Sequence, residues 1–382
     1  MKKKIDGFSS DQTLLNRTFR LMGHIDFILL FSVLILCVFG LLVIYSTTRI
    51  EVVDEGTLFF SQKQLIHMIL GLFLCFLTIF IDYHEIEKLA LPIYILAILS
   101  LIYVVLFGRM TGGSRRWIEI SGFDFQPAEF AKIALIFFLA NFLAKQNNKV
   151  SYFYYYFVLP FVFTGAFVLL IFMQPDLGTS IAFLAILLCM IFVAGVHWKH
   201  MLIIFLIVLA SFPVLWSLLK EYQQNRIILF LNPNLDPLGA GYNVIQSKVA
   251  IGSGGLFGQG LFSGIQSQLK FLPAQHTDFV FSVIGEEMGF IGAVFVLSLY
   301  IFILWKGIKI AKEAPDLLGT FLATGVIAFM SFHIVVNIGM TMGLMPATGL
   351  PLPFVSSGGT FMMSSFIGIG VLLNIHLRSL FG

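Results

Sequence analysis

Charge is what this chain has least of. Aspartate, glutamate, lysine and arginine together make up 11% of its 382 residues against 58% hydrophobic residues, which excludes an ordinary soluble globular domain. A formal net charge of +3 is too small to support nucleic-acid binding, so the placement of charges matters more than their sum. Cysteine is almost missing too. Cys37, Cys75 and Cys189 all fall within apolar runs, so neither a disulfide framework nor a cysteine metal cluster is readable, and the compartment's redox state is not reported. The glycine-rich stretch IGSGGLFGQG, 251–260, lacks the GK[ST] ending of a phosphate-binding loop, and its expected role is conformational freedom. No nucleotide fingerprint occurs elsewhere, so any reaction must draw its energy from the substrate. Internal repeats, low-complexity tracts and heptad arrays are absent, and without an obvious inverted repeat a transporter is the weaker reading.

What the chain has instead is long apolar runs. A membrane span needs roughly 20 apolar residues, and ten such runs are readable, at about 25–46, 64–82, 88–108, 128–144, 154–173, 179–197, 200–219, 279–305, 317–340 and 357–377. The first is too long for a signal-peptide core and lacks a small-residue cleavage site, so it reads as an uncleaved helix. Lys2, Lys3, Lys4, Arg17 and Arg20 precede it, which places residues 1–24 in the cytoplasm. Lys88, Lys145, Lys149, Lys199, Lys306, Lys309, Lys312 and Arg378 then fall on the same side. The expected fold is an all-α polytopic membrane protein with ten transmembrane helices and both termini cytoplasmic. One membrane domain covers 1–382, and a large extracytoplasmic loop region, 220–278, separates helices 7 and 8. YNVIQSKVAIGSGG within that loop reads as an amphipathic helix.

Against this topology several polar residues stand out on the outer side. Arg49, Lys63, Arg109, Arg115 and Arg116 lie in short outer loops, against the positive-inside tendency, and binding an anionic ligand is the obvious reason. In GGSRRWIEISGFDFQPAEFAK, 112–132, Pro127 suits a first helical turn, and Glu129 and Lys132 fall on one helix face. They either neutralise each other or line a groove where Arg115 or Arg116 meets phosphate, for which a forked guanidinium is suited. Asp176 of QPDLGTS reads as a helix N-cap. Arg226, Gln246 and Lys248 are polar candidates in the long outer loop. His276 and Asp278 of HTDF sit just above the eighth span, with Glu286 and Glu287 roughly 12 Å further along it. An acid in hydrocarbon is costly and faces a cavity or a partner. Asp278 is either an N-cap or a functional acid, and Glu286 and Glu287 have Lys132 or Arg116 as possible partners across the bundle. The uncharged, Pro- and Gly-rich segment MGLMPATGLPLPFVSSGGT, 342–360, fits a re-entrant loop beside a binding site.

Taken in order, GGSRRWIEI with FQPAEFAK, QPDLGTS, YNVIQSKVAIGSGG with IQSQLKFLPAQHTDF, and 337–359 resemble the signatures of the SEDS family (shape, elongation, division and sporulation) over nearly the whole chain. The QSKVAIGSGG and QSQL wording is nearer the family's elongation member than its division member. Two positions depart from the pattern, Ala274 where a Glu is usual and Ala128 where a Ser is usual. The resemblance implies a peptidoglycan glycosyltransferase in the bacterial cytoplasmic membrane that polymerises lipid II at the outer face. It implies work with a class B penicillin-binding protein transpeptidase and other elongation-complex proteins. Asp278 matches the family's essential acid, and Arg116, Glu129, Lys132, Arg226, Gln246, Lys248, His276, Ser356 and Ser357 are the expected substrate-binding residues. No protein cage for a metal is visible, and a divalent cation, Mg or Mn, held by phosphate oxygens stays open. A lipid II flippase and a non-catalytic scaffold of the elongation complex are the competing readings.

Overall fold

The structure is a computed structural model that describes residues 24–48, 57–111, 114–120, 123–146, 154–219, 221–237, 239, 241–269 and 271–380. The expected cytoplasmic segment 1–24 therefore lies, His24 apart, outside the described residues, as do Arg49 and Lys149. Every one of the apolar runs is helical: α1 (Phe27–Thr48), α2 (Thr57–Phe80), α3 (Tyr83–Phe107), α4 (Pro127–Ala144), α5 (Leu159–Met173), α6 (Leu177–Val193), α7 (Trp198–Leu218), then, after the outer insertion, α11 (Val280–Glu313), α12 (Leu317–Thr341) and α13 (Gly359–Ser379). Among the described residues eight helical segments are long and apolar enough to cross a membrane, one of them joining the π-helical turn Tyr154–Val158 to α5. In hydrocarbon each backbone amide and carbonyl needs a partner within the protein, and a helix supplies one for nearly every residue.

Burial sorts these helices into a centre and a surround. The most apolar windows of α4, α12 and α13 are 78%, 72% and 83% buried, whereas those of α2, α3 and α11 are only 22%, 22% and 28% buried. The outer helices turn Phe73, Leu96, Leu99 and Phe290 outward, as suits contact with acyl chains. Small residues let the helices close on one another: an added Cβ on Gly71 of α2 would meet the Phe366 ring of α13 at 2.4 Å.

The bundle has two polar ends. One gathers Asp26, Asp82, Glu87, Lys145, Lys306 and Arg378, with ion pairs Lys306–Asp26 at 2.6 Å and Arg378–Asp82 at 3.0 Å. The other carries the long insertion, whose helices are α8 (Glu221–Leu231), α9 (Tyr242–Ser253) and the short α10 (Ile265–Gln268). The expected amphipathic helix is α9. Its Ser247 hydroxyl reaches the Ser282 hydroxyl (2.6 Å) and the Thr341 carbonyl (2.7 Å), seating it on α11 and α12. A three-stranded antiparallel sheet, β1 (Arg109–Thr111), β2 (Ser114–Ile120) and β3 (Phe123–Phe125), also stands at this end and adds to the all-α expectation.

The glycine-rich stretch uses its conformational freedom to pack against α11. Gly289 (φ 65°) opens α11, which frees the carbonyls before it and the amides after it. Gln259 and Gly260 donate their amides to the Glu286 and Glu287 carbonyls (2.9 and 3.0 Å), and Phe290 and Ile291 donate to the Gly255 and Leu256 carbonyls (2.9 and 3.2 Å). The segment substitutes for the missing helical turn, and a Cβ on Gly258 (φ 83°) would lie 2.1 Å from the Glu287 carbonyl oxygen. Gly255, Gly258 and Gly260 take positive φ, the conformational freedom expected of glycine, and Gly254 and Gly258 also allow close backbone approach.

Candidate active site

Asp278 lies in the turn that leads into α11, at the end of the bundle that carries the insertion. The N-cap of α11 is Phe279, with no side-chain cap bond, so the Asp278 carboxylate is not spent on capping. Its backbone and that of the two residues before it are clamped. Ser357 donates its amide to the His276 carbonyl (2.9 Å), the Ser356 hydroxyl donates to the Thr277 carbonyl (2.5 Å), and the Asn337 amide donates to the Asp278 carbonyl (2.9 Å). The segment expected to be re-entrant, 342–360, thus packs through Ser356 and Ser357 against the HTDF turn. Gly349 (φ 74°) leaves open the space beside the carboxylate that a Cβ would fill, 3.2 Å from Oδ2. Asp278 itself is half-buried.

Charges of both signs act on it. Burial raises the Asp278 carboxyl above the usual carboxylate range, and Asp176 adds to the rise; a hydrogen bond from Thr277 and the charges of Arg226 and Arg116 act against it. Arg226 comes from α8 and is exposed. Arg116 comes from β2, where successive side chains point to opposite faces. Arg115 turns away to donate to the Leu106 carbonyl (2.8 Å), while Arg116 donates to the carbonyls of Gln174 (3.3 Å) and Pro175 (2.6 Å) and stands 3.4 Å from Asp176. Asp176 is the expected N-cap, accepting from the Thr179 amide (3.2 Å), and it also faces this guanidinium.

Deeper in the bundle Glu129 and Lys132 form a 2.8 Å ion pair with both side chains almost wholly enclosed. The Lys132 ammonium also meets His333 Nε2 at 2.9 Å and stands 5.1 and 5.4 Å from the ring centres of Phe329 and Phe361. Both charges are answered inside the protein. Of the two readings of this pair, mutual neutralisation is the one its geometry matches, with Lys132 0% and Glu129 2% exposed.

The expected pairing of Glu286 and Glu287 with Lys132 or Arg116 is not what forms. Glu286 accepts the amides of Gln266 (2.6 Å) and Ser267 (3.1 Å), anchoring α10, and Glu287 accepts from the Ser46 hydroxyl of α1. The amide ends of an outer helix, not a distant cation, answer the first acid. Ser356 is likewise committed, since its buried hydroxyl accepts the Leu352 amide (2.8 Å) while donating to Thr277. His276 lies tilted against Phe60 with ring centres 5.1 Å apart. Gln246 and Ser357 are half-buried and Lys248 is exposed, its stem lying over Gly343. Two residues that were not among the expected site residues, His333 and Asn337, are fully buried at the centre of the arrangement. Their signal was available: two polar side chains four apart in an otherwise apolar run share one helix face.

Comparison with known proteins finds relatives that match nearly the whole chain. The family model described as cell cycle protein, covering FtsW, RodA and SpoVE, matches residues 27–380. Stage V sporulation protein E of Bacillus subtilis is 38% identical over 360 residues, which is 93% of this chain and 97% of that protein. Peptidoglycan glycosyltransferase MrdB of Escherichia coli is 37% identical over 368 residues, covering 94% of this chain and 95% of that one. A chain in a solved peptidoglycan synthase complex, in which polymerization and crosslinking are coordinated, superposes with a TM-score of 0.80 at 32% identity over 93% of this chain and 98% of its own length. The chain belongs to the SEDS family, the group that FtsW, RodA and SpoVE represent.

Proposed function

We propose that this protein is the peptidoglycan glycosyltransferase of cell elongation, a polymerase that joins lipid II units at the outer face of the bacterial cytoplasmic membrane. The reading rests on one observation above the rest: a half-buried aspartate free of capping duty, in a turn whose carbonyls at 276, 277 and 278 are each held by a bond, with Arg116 and Arg226 in electrostatic reach. In this reading ten helices span the bilayer and both termini are cytoplasmic. The end rich in Lys88, Lys145, Lys306, Lys309, Lys312 and Arg378 faces the cytoplasm, as the distribution of basic residues between short loops favours.

The chemistry follows from the groups. The sugar C4 hydroxyl of one lipid II attacks the anomeric carbon of another chain's terminal sugar, the C–O bond to diphosphate breaks, and the undecaprenyl diphosphate leaves with the electron pair. Replacing an α-linked diphosphate with a β1→4 link inverts the centre, which fits one direct displacement. Diphosphate leaves without a proton, so a single base suffices where glycosidases need an acid as well. Asp278 takes the hydroxyl proton as the new bond forms. Its raised pKa brings it closer to the hydroxyl's own and improves it as a base. Arg116 and Arg226 stabilise the charge gathering on the diphosphate. Gln246, Lys248, His276 and Ser357 border the same outer region and contact the sugar and peptide portions. Glu129, Lys132 and Ser356 act from beneath by holding the site's frame. Among the described residues no three metal-ligating side chains group together, so a divalent cation would be held through the diphosphate's own oxygens.

A polymerase at the outer face needs a cross-linking partner, and a class B penicillin-binding protein with a single span is the proposed one. The solved relative within a synthase complex supports this. Vesicles carrying lipid II only in their outer leaflet test the function. The purified protein is expected to convert that lipid into glycan strands; redistribution of lipid II to the inner leaflet without glycan would identify a flippase instead.

A further inference from the structure

The segment 349–357 is irregular backbone placed at the end of a membrane bundle, and its prolines, Pro351 and Pro353, remove two amide donors. Its carbonyls must therefore find partners elsewhere, and they find side chains. Asn337 of α12 donates from Nδ2 to the Leu350 carbonyl (2.7 Å), His333 of α12 bonds from Nδ1 to the Pro351 carbonyl (3.2 Å), and Tyr300 of α11 donates to the Pro353 carbonyl (2.6 Å). The Asn337 amide has two N–H groups, and the second reaches the Asp278 carbonyl (2.9 Å). His333 and Asn337 are four residues apart, so they stand one above the other on the same face of α12.

The histidine's bonds define its form. A carbonyl oxygen only accepts, so Nδ1 carries the hydrogen, and Nε2 is left to accept from the Lys132 ammonium at 2.9 Å. That ammonium in turn is held by Glu129 at 2.8 Å. A chain of bonds thus runs from α4 through His333 to Pro351, and one turn further along α12 Asn337 ties the adjacent carbonyl to the residue bearing the carboxylate. None of these side chains is open to an incoming substrate: His333, Asn337 and Lys132 are all 0% exposed.

We propose that His333 and Asn337 are positioning residues for Asp278: they fix the 349–357 segment and the HTDF turn in one register, so that the carboxylate meets the acceptor hydroxyl at bonding distance. The proposal rests on Asp278 being the base. A displacement of about 1 Å at a reacting group costs on the order of 100-fold in rate, without contact between the altered residue and substrate.

The test measures glycan polymerisation from purified lipid II by the full chain in detergent, giving kcat and KM, beside thermal unfolding of each variant. The variants are Asn337→Leu, which keeps volume and removes both donors, His333→Phe, which keeps a ring and removes donor and acceptor, and His333→Gln, which keeps one of each. Asp278→Asn runs in parallel. Asn337→Leu and His333→Phe are expected to lose roughly 100-fold in kcat with KM within about 3-fold of wild type, at temperatures where both remain folded. His333→Gln is expected to recover at least 10-fold of the loss, since its amide donates to one side and accepts from the other. Wild-type kcat in either of the first two, or no recovery in His333→Gln, overturns the proposal. A loss that follows the melting temperature rather than bond chemistry, so that His333→Gln stabilises without restoring kcat, overturns it as well. Retained activity in Asp278→Asn overturns the base assignment itself, which is a separate outcome.

Discussion

The Glu129–Lys132 pair gives the most quantitative expectation. Its side chains are 3% and 0% exposed and 2.8 Å apart, in the helix whose window is 78% buried. Removing one partner of such a pair leaves a charge with neither water nor counter-ion, at a cost of about 3–5 kcal/mol. Lys132→Met does this to Glu129, and it also strips the lone pair of His333 Nε2 of its donor. With roughly 2 °C of melting temperature per kcal/mol for a large chain, the apparent midpoint falls by about 6–10 °C. Glu129→Gln combined with Lys132→Met removes both charges and keeps the volumes close, so most of the loss returns and the double variant lies within about 4 °C of wild type. Thermal unfolding by tryptophan fluorescence, in one detergent at one protein concentration, reads all three. A Lys132→Met midpoint within about 2 °C of wild type would refute the reasoning, as would a double variant no more stable than the single one.

Other expectations concern the groups around Asp278 and the frame above it. Because the base must be deprotonated and burial raises its pKa, polymerisation should rise with pH through a value above the ordinary carboxylate 3.8 and fall as pH drops below it; a pH–rate profile with an unshifted acid limb would contradict this. Arg116→Gln should weaken use of the diphosphate donor by about 10- to 100-fold in kcat/KM, the scale of one lost charge-assisted bond, while the Gln174 and Pro175 carbonyls keep a neutral donor; kinetics with lipid II varied check it. Gly258→Ala should destabilise the protein by more than about 1–2 kcal/mol, because φ is positive there and the new Cβ meets the Glu287 carbonyl; an unchanged melting temperature would mean that the α11 opening relaxes freely.

How far this molecule could be read beforehand differs from part to part. Long apolar runs translate directly into helices, because no other open structure satisfies a backbone in lipid, and each run is helical here. Asp278 stood out for the same reason that it matters, an acid at the lip of an apolar run beside outer arginines. Partners across the bundle were another matter. Glu286 and Glu287 looked like mates for Lys132 or Arg116 because a charge in an apolar run invites a counter-charge, yet backbone amides of α10 and the Ser46 hydroxyl answer them. Hydropathy cannot weigh a backbone donor against a distant cation. The three-stranded sheet was hidden because its strands are only three to seven residues long, too short for the alternation of Ile118–Ile120 and Phe123–Phe125 to stand out. The conformational freedom read from the glycines at 255–260 is used in their positive φ angles, but that Gly258 sits against the Glu287 carbonyl depends on the opened turn at Gly289, which the sequence does not display. His333 and Asn337 had a local signal, their spacing on one helix face, but their carbonyl partners lie 13 to 59 residues away in sequence.

The most direct measurement separates binding from chemistry in Asp278→Asn. The amide keeps the shape of the carboxylate and cannot accept the proton, so lipid II should bind with near wild-type affinity while single-turnover formation of the first glycosidic bond falls by at least about 100-fold. Bond formation at the wild-type rate in that variant, with binding equally intact, would contradict the assignment of the aspartate as the base.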